Sequence, residues 1–331
     1  MAIEGEVVKE YLAKFPKTPS LTLAKKIYRE NKEVFKSAEH ARNTIRYHRG
    51  QYGKRNRKKI APTFKTSPGD PDPFDAFPVG LKHFNDWTPY KIMGENVLVI
   101  ADVHIPFHDR ESVLIALRHG QACGVDTVLI LGDLGDFYSV SWWERDPRLR
   151  NFKAEIDMVK DFFKFLRQLF PKAEIVYKIG NHEERYERYL KVKAPDLLGI
   201  EIFELANLLD TETHGVQIVG DRRVCKIAGL HLIHGHEFGR AITSPVNPAR
   251  GLFLKGKEIA MTAHHHQSSN HGAATLADEK ITCWSIGCLC DLHPDWKPLN
   301  EWNHGFACVE RDGKKFYVRN KKIVDGEVFD A

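Results

Sequence analysis

The chain has 331 residues, 42% of them hydrophobic, which is enough for a catalytic domain of ordinary size plus a smaller one. It has no run of 18 apolar residues that would span a membrane, and Glu4, Glu6 and Glu10 stand where a secretory leader needs an apolar core. Residues 1–60 hold 16 Lys and Arg against 6 Asp and Glu, and the remainder holds 33 against 38, so the overall +5 conceals a basic piece joined to a mildly acidic body.

The basic piece has a helical pattern. Residues 4–14 predict a short helix with Val7, Val8, Tyr11 and Leu12 on one side, ended by Pro16 and Pro19. Ser20 stands as N-cap of a second helix over 21–31, whose Leu23, Ile27 and Tyr28 share a face. Ser37 caps a third over 38–49, with Ala41 and Ile45 inward and Arg42, Arg46 and Arg49 outward, followed by the basic run Lys54-Arg55-Asn56-Arg57-Lys58-Lys59. Three short helices with a basic third resemble a helix-turn-helix DNA-binding domain, whose last helix enters the major groove. The resemblance implies a nucleic-acid partner, DNA favoured, met by Arg42, Arg46, Arg49, Lys54, Arg55 and Arg57. A protein-docking module or a solubilising cap is the alternative. Pro62, Pro68, Pro71, Pro73 and Pro78 mark 61–94 as a semi-rigid linker, with the body of the protein at 95–331.

In the body, short apolar β-branched runs each end on a polar residue. Val97-Leu98-Val99-Ile100 leads to Asp102 and His104, and Thr127-Val128-Leu129-Ile130-Leu131 to Gly132-Asp133-Leu134-Gly135-Asp136. Glu174-Ile175-Val176-Tyr177 leads to Gly180-Asn181-His182-Glu183, Leu230-His231-Leu232-Ile233 to His234, and Ile259-Ala260-Met261 to His264-His265-His266. Between them, 111–120, 152–170 and 183–191 read as helices. Five strands thus deliver carboxylates, an amide and imidazoles at their C-terminal ends, where α/β sheets carry their sites. Mixed oxygen and nitrogen ligands of this kind build a two-metal hydrolytic centre. Any one segment alone reads as a turn or a helix cap; the ordered set of five carries the metal reading.

The order D-x-H, G-D-x-x-D, G-N-H-E, H and H-x-H resembles the calcineurin-like metallophosphoesterases over about residues 96–310. The resemblance implies a two-sheet αββα sandwich with two divalent metal ions at one end, alongside the small all-α domain. Asp102, His104 and His266 would hold the first metal, Asn181, His234 and His264 the second, and Asp133 would bridge them. A carboxylate has two oxygens and can reach two cations roughly 3.5–4 Å apart. A water between the metals then loses a proton near neutral pH and attacks, with His182 as acid or transition-state stabiliser and Asp136 orienting His182. Manganese is the favoured metal; iron, zinc, magnesium or nickel suit such ligands too. His236, two residues beyond His234, leaves the choice between them open, and Ala263 replaces the usual glycine before the H-x-H pair.

Departures from the family pattern select a branch. The protein serine/threonine phosphatases carry D-R-G and R-G-N-H-E, whereas here Phe137 follows Asp136 and Ile179 precedes Gly180. With both phosphomonoester-clamping arginines missing, the chain looks more like the phosphodiesterases and repair nucleases, a nuclease tethered to DNA by its N-terminal domain. A phosphatase or pyrophosphatase on a small molecule or phosphoprotein, and a DNA-bound regulator with a scaffold phosphoesterase domain, are the alternatives. Arg185 and Arg188 follow the Asn-His segment on a helix and could touch substrate phosphate, but with Glu184 and Glu187 alongside they read first as a solvated salt-bridged helix face. Cys288 and Cys290 have too few partners nearby for a zinc site and read as ordinary thiols. Six scattered cysteines suit a reducing, cytoplasmic setting.

Overall fold

The computed structural model describes residues 2–50, 77, 78, 80, 87–143, 146–220, 222–241 and 246–331; Lys54, Arg55 and Arg57 lie outside the described residues. The chain divides into two compact units, Met1–His83 and Phe84–Ala331.

Among the described residues the first unit contains the helices α1 (Ala2–Lys14), α2 (Ser20–Glu30) and α3 (Ala38–His48). Val8, Leu23, Ala24, Ile27, Phe35, Ala41 and Ile45 form its core, as the apolar periodicity requires. Ser37 caps α3 by accepting from the His40 amide at 3.0 Å. Ser20 does not cap: α2 already begins there after Pro19, and its hydroxyl instead accepts from Arg49 at 2.8 Å. Arg49, expected outward, also donates to the carbonyls of Thr18 (2.5 Å) and Pro16 (3.3 Å). It lies just past the end of α3, where helical periodicity no longer sets its direction and the turn after α1 offers unpaired acceptors. Arg42 pairs with Glu39 one turn back, at 3.3 Å, and Arg46 is half-buried.

The second unit is built on β1 (Tyr90–Lys91), β2 (Asn96–Ile100), β3 (Thr127–Leu131), β4 (Glu174–Lys178), β5 (Val216–Val219), β6 (Cys225–Ile227), β7 (Leu230–Leu232), β8 (Ala260–Thr262), β9 (Ser269–Ala274), β10 (Lys280–Ser285), β11 (His304–Asp312), β12 (Lys315–Val324) and β13 (Glu327–Asp330). One sheet runs β13-β12-β11-β2-β3-β4-β5 and the other β1-β6-β7-β8-β10-β9. β2 to β5 are parallel, in registers such as Leu98↔Val128 and Leu129↔Val176. The unit starts before residue 95, because Tyr90 and Lys91 pair in parallel with Cys225 and Lys226 and Ile92 is buried beside them. The linker expected over 61–94 therefore stops short of this strand.

Period-two alternation sorts the parallel strands into two cores. Leu98, Ile100, Val128, Ile130, Ile175 and Tyr177 face helices Arg110–Ala122 and Phe152–Leu169. Val97, Val99, Leu129, Leu131 and Val176 face the opposite sheet, meeting Ile227, Leu230, Leu232 and Met261. A smaller core, including Ile233, Ala249, Leu252 and Cys283, seats helix Pro248–Gly256 on the second sheet. Each fully buried Val, Leu or Ile contributes about 1.5–3 kcal/mol before the entropy cost of ordering it. The result is the αββα sandwich. β2, β3 and β4 of one sheet and β7 and β8 of the other point their C-terminal ends at a common edge.

Candidate metal centre

Every residue at that edge follows a strand, and the backbone there is contorted. Asp102, His104, Asp133, His264 and His266 all adopt positive φ, between 51° and 66°. Such conformations cost an L-residue about 1 kcal/mol or more and persist where surrounding bonds impose them. The amides of Asp102, His104 and Ile105 donate to the carbonyls of Gly132, Asp133 and Leu134, zipping the two loops together. The His264 amide donates to Asp102 Oδ2 at 2.9 Å, and the Asn303 amide to the His266 carbonyl at 2.9 Å. Gly132 (φ 96°) and Gly180 keep the cluster open: a Cβ at the first would collide with His234 Nδ1, and at the second with Asp133 Oδ1.

The side chains converge. His104 Nε2 and His266 Nε2 are 3.2 Å apart, and Asp102 Oδ1 lies 3.4 Å from His266 Nε2 and 3.9 Å from His104 Nε2. Asp133 Oδ2 lies 3.1 Å from His234 Nε2 and 3.9 Å from His104 Nε2, and so stands between two groups. One group is His104, His266 and Asp102. The other joins Asp133, His234 and His264 with Asn181, whose Oδ1 is 3.1 Å from His234 Nε2. Asp102 Oδ1 is buried without a hydrogen-bond partner. His234 faces the cluster and donates from Nδ1 to the Leu131 carbonyl at 2.8 Å, whereas His236 turns to Glu184 at 3.0 Å. His265 belongs to neither group of ligand atoms.

Burial pushes His104 and His264 down to about 3, with neighbouring imidazolium charge adding to the effect. Burial acts on His234 in the same direction, but the Asp133 and Asp102 carboxylates overcome it and raise His234 to about 10. Asp133 is held well below the ordinary carboxylate range: burial opposes this, and the imidazoles of His182, His234 and His104 outweigh it.

His182 sits beside both groups, its Nε2 3.7 Å from Asp133 Oδ2 and its amide donating to Asp133 Oδ1 at 2.9 Å. Its Nδ1 donates to Asp136, but mainly to the backbone carbonyl at 3.0 Å; the carboxylate expected to orient it is 3.4 Å away. Arg185 completes the arrangement and is no solvated helix residue. Its guanidinium donates to Asp136 O and Oδ1 at 2.9 and 3.1 Å and lies 2.8 Å from His182 Nε2. The first turn of helix Glu183–Lys193 abuts the cluster, which a helical-wheel reading cannot register.

Two buried carboxylates without an assigned role in the sequence reading hold the loops. Glu183 accepts from the amides of Asp133, Leu134, Gly135 and Gly180 and from the Tyr177 hydroxyl at 2.5–3.3 Å. All five neighbours donate, so the carboxylate is held in its charged form although burial and Asp133 push its pKa up. Glu237 accepts from the amides of His234 and Gly235 at 3.1 and 2.7 Å and pairs with the buried Lys178 at 2.7 Å. Cys290, read as an ordinary thiol, has Sγ 3.8 Å from His266 Nδ1, and Trp302 packs on the same imidazole at 4.1 Å between ring centroids. Only the tertiary fold brings these together.

Residues 95–300 match the family model described as calcineurin-like phosphoesterase. The gene 54 proteins of Mycobacterium phage L5 and Mycobacterium phage D29 are 27% and 31% identical over 259 residues, covering 72% of this chain and the whole of each relative. Among solved structures, Vacuolar Protein Sorting 29 from Cryptosporidium parvum aligns with a TM-score of 0.38 at 16% identity, over 72% of this chain and 96% of that one. No helix among the described residues is long and apolar enough to cross a membrane.

Proposed function

The chain belongs to the calcineurin-like phosphoesterase family of metal-dependent hydrolases, and from that premise we propose that it hydrolyses phosphodiesters, with nucleic acid as substrate. The observation that carries the reading is the pair of ligand groups sharing Asp133. Their atoms suit divalent cations: Asp102 Oδ1 is buried with no donor, and two imidazole nitrogens face each other at 3.2 Å, a contact that a shared cation would make favourable. Asp102, His104 and His266 would hold one cation and Asn181, His234 and His264 the other, with Asp133 common to both; manganese is our first choice. Two such cations neutralise the phosphodiester and bring the pKa of water into the neutral range.

The chain's own groups do the rest. Asp133 and Asp136 raise the pKa of His182 against the opposing effect of burial, which favours proton uptake at this imidazole. Arg185 donates to His182 Nε2 in the resting arrangement. Moving that guanidinium onto a substrate phosphate would free Nε2 to take up a proton and pass it to the leaving oxygen. Phe137 and Ile179, standing where monoesterases of the family carry arginine, support a diester over a monoester. The basic helical unit supports DNA as the polymer and nuclease as the activity, by holding substrate near the site. Labelled single- and double-stranded DNA incubated with the manganese-loaded protein should be cut, and Asp133→Ala should cut neither. No cleavage by a protein shown to hold its metals would move the substrate to a smaller phosphate ester.

A further inference from the structure

A cleft of about 1730 Å³ opens beside the metal centre, and Asn181 and Arg185 lie on its wall as well as against the cluster. Farther out, the wall carries two consecutive tryptophans, Trp142 and Trp143, 65% and 67% exposed. Adjacent indoles left in water cost hydrophobic free energy, and on a cleft wall they mark a binding surface. The Arg188 guanidinium lies over the Trp142 ring at 4.1 Å from its centroid, holding the indole in place. Of the carboxylates on this wall, Glu204 is exposed with no ion-pair partner among the described residues, and the three nearest the metal centre in sequence are engaged. Glu184 is paired with Arg222 at 2.7 Å and with His236 at 3.0 Å, Glu187 with Lys191 at 2.7 Å, and Glu183 is turned into the Asp133 loop. Among the described residues no carboxylate lies within ion-pair range of Arg188. The wall thus joins two exposed indoles to an arginine that has no carboxylate in ion-pair range among the described residues.

We propose that Trp142 and Trp143 are a stacking platform for the bases of a single-stranded nucleic acid, whose backbone phosphates meet Arg188 and Arg185 on the way to the metal centre. The proposal rests on the phosphodiester reading above and narrows it. An apolar peptide or lipid has no use for the guanidinium, and a simple phosphate ester has no use for the tryptophans. A nucleotide strand offers a flat π-face and a phosphate at each repeat, the combination that aromatic and cationic walls bind without sequence preference. Duplex DNA keeps its bases stacked inside and offers these rings nothing. The small all-α unit is thus not the only part of the chain that would touch nucleic acid.

The test separates bases from phosphates. Fluorescence anisotropy of the full chain would compare oligothymidylate with an abasic oligomer of equal length, both with phosphorothioate linkages so that neither is consumed. Contacts that read only phosphate, including any from the basic N-terminal unit, contribute to both ligands and cancel in the ratio. The wild type should prefer the thymidylate by about tenfold or more, the size of base–aromatic stacking. The double variant W142A/W143A should bring that ratio close to one, and Trp142→Phe, which keeps a ring, should retain most of it. A wild-type ratio near one, or a preference that survives the double alanine variant, would overturn the proposal. Because the readout is binding, it stands apart from catalysis. A protein that prefers bases yet cuts no diester would refute the phosphodiesterase reading and leave the platform in place.

Discussion

Replacing Glu183 by glutamine keeps the shape of a buried side chain and removes one of its two acceptors. Oε2 accepts from the amides of Asp133 and Gly180, and Oε1 from those of Leu134 and Gly135 and from the Tyr177 hydroxyl. Whichever way the new amide faces, its NH2 confronts two backbone N–H groups that no water reaches. Each stranded donor costs about 1–3 kcal/mol, so the change should destabilise the unit by about 2–6 kcal/mol. Tyr177 can rotate its hydroxyl and softens only one of the two orientations. Urea denaturation followed by circular dichroism would read the loss, and amide hydrogen exchange would locate it at Asp133, Leu134, Gly135 and Gly180. Hydrolysis should fall as well, since the same bonds position Asp133. A loss below 1 kcal/mol with exchange at those amides unchanged would refute the claim that Glu183 holds the Asp133 loop.

Other perturbations are equally direct. Burial, with Asp136 nearby, pushes Glu155 up to about 7, so the folded chain binds more protons than the unfolded one between about pH 4.5 and pH 7. Stability from this group is complete below that window and falls through it by about 3 kcal/mol at most. Glu155→Gln should abolish the fall and be the more stable protein at pH 8; parallel pH profiles for the two proteins would contradict this. Lys178→Met should cost about 3–5 kcal/mol by leaving Glu237 buried without its cation. Adding Glu237→Gln should recover part of that, and a double variant no more stable than Lys178→Met alone would argue against the pairing. Lys178, His236 and His234, against the opposing effect of burial, hold Glu237 down at about 2. The stability from the pair is therefore present above about pH 4.5 and should fade as pH drops toward 2. The full chain should bind duplex DNA with steep salt dependence, weakened by Arg42→Ala and Arg46→Ala. Arg49→Ala should instead lower the melting temperature of the helical unit, because Arg49 ties α3 to the α1–α2 turn. Absence of duplex binding at low salt would remove the tether.

Much of the fold around the candidate site was legible because it is local. β2, β3, β4, β7 and β8 are short apolar runs, and a polar residue following such a run in sequence also follows it in space. Ser37 was legible as a cap for the same reason. What escaped the sequence depends on distant partners. β9, Ser269–Ala274, has no apolar alternation and is a strand only because β10 pairs with it. β1 is two residues long and takes its identity from β6. Glu183 was visible within G-N-H-E, but its burial among five donors belonging to β4 and two loops was not. Cys290 meets His266 across 24 residues, and Arg49 meets Thr18 across 31. Positive φ at two aspartates and three histidines leaves no trace in composition, since the strain is held by bonds between loops. The choice between His234 and His236 was open in sequence; the backbone after β7 turns at Gly235 (φ 131°) into the short helical turn that begins at His236, which leaves His234 on the cluster and aims His236 at Glu184.

The claim that Asp133 is common to two cations is met most directly by counting manganese ions per chain with native mass spectrometry, in the wild type and in Asp133→Ala. Two ions are expected in the wild type and at most one in the variant. A wild type that holds none, or an Asp133→Ala variant that keeps both, would contradict it.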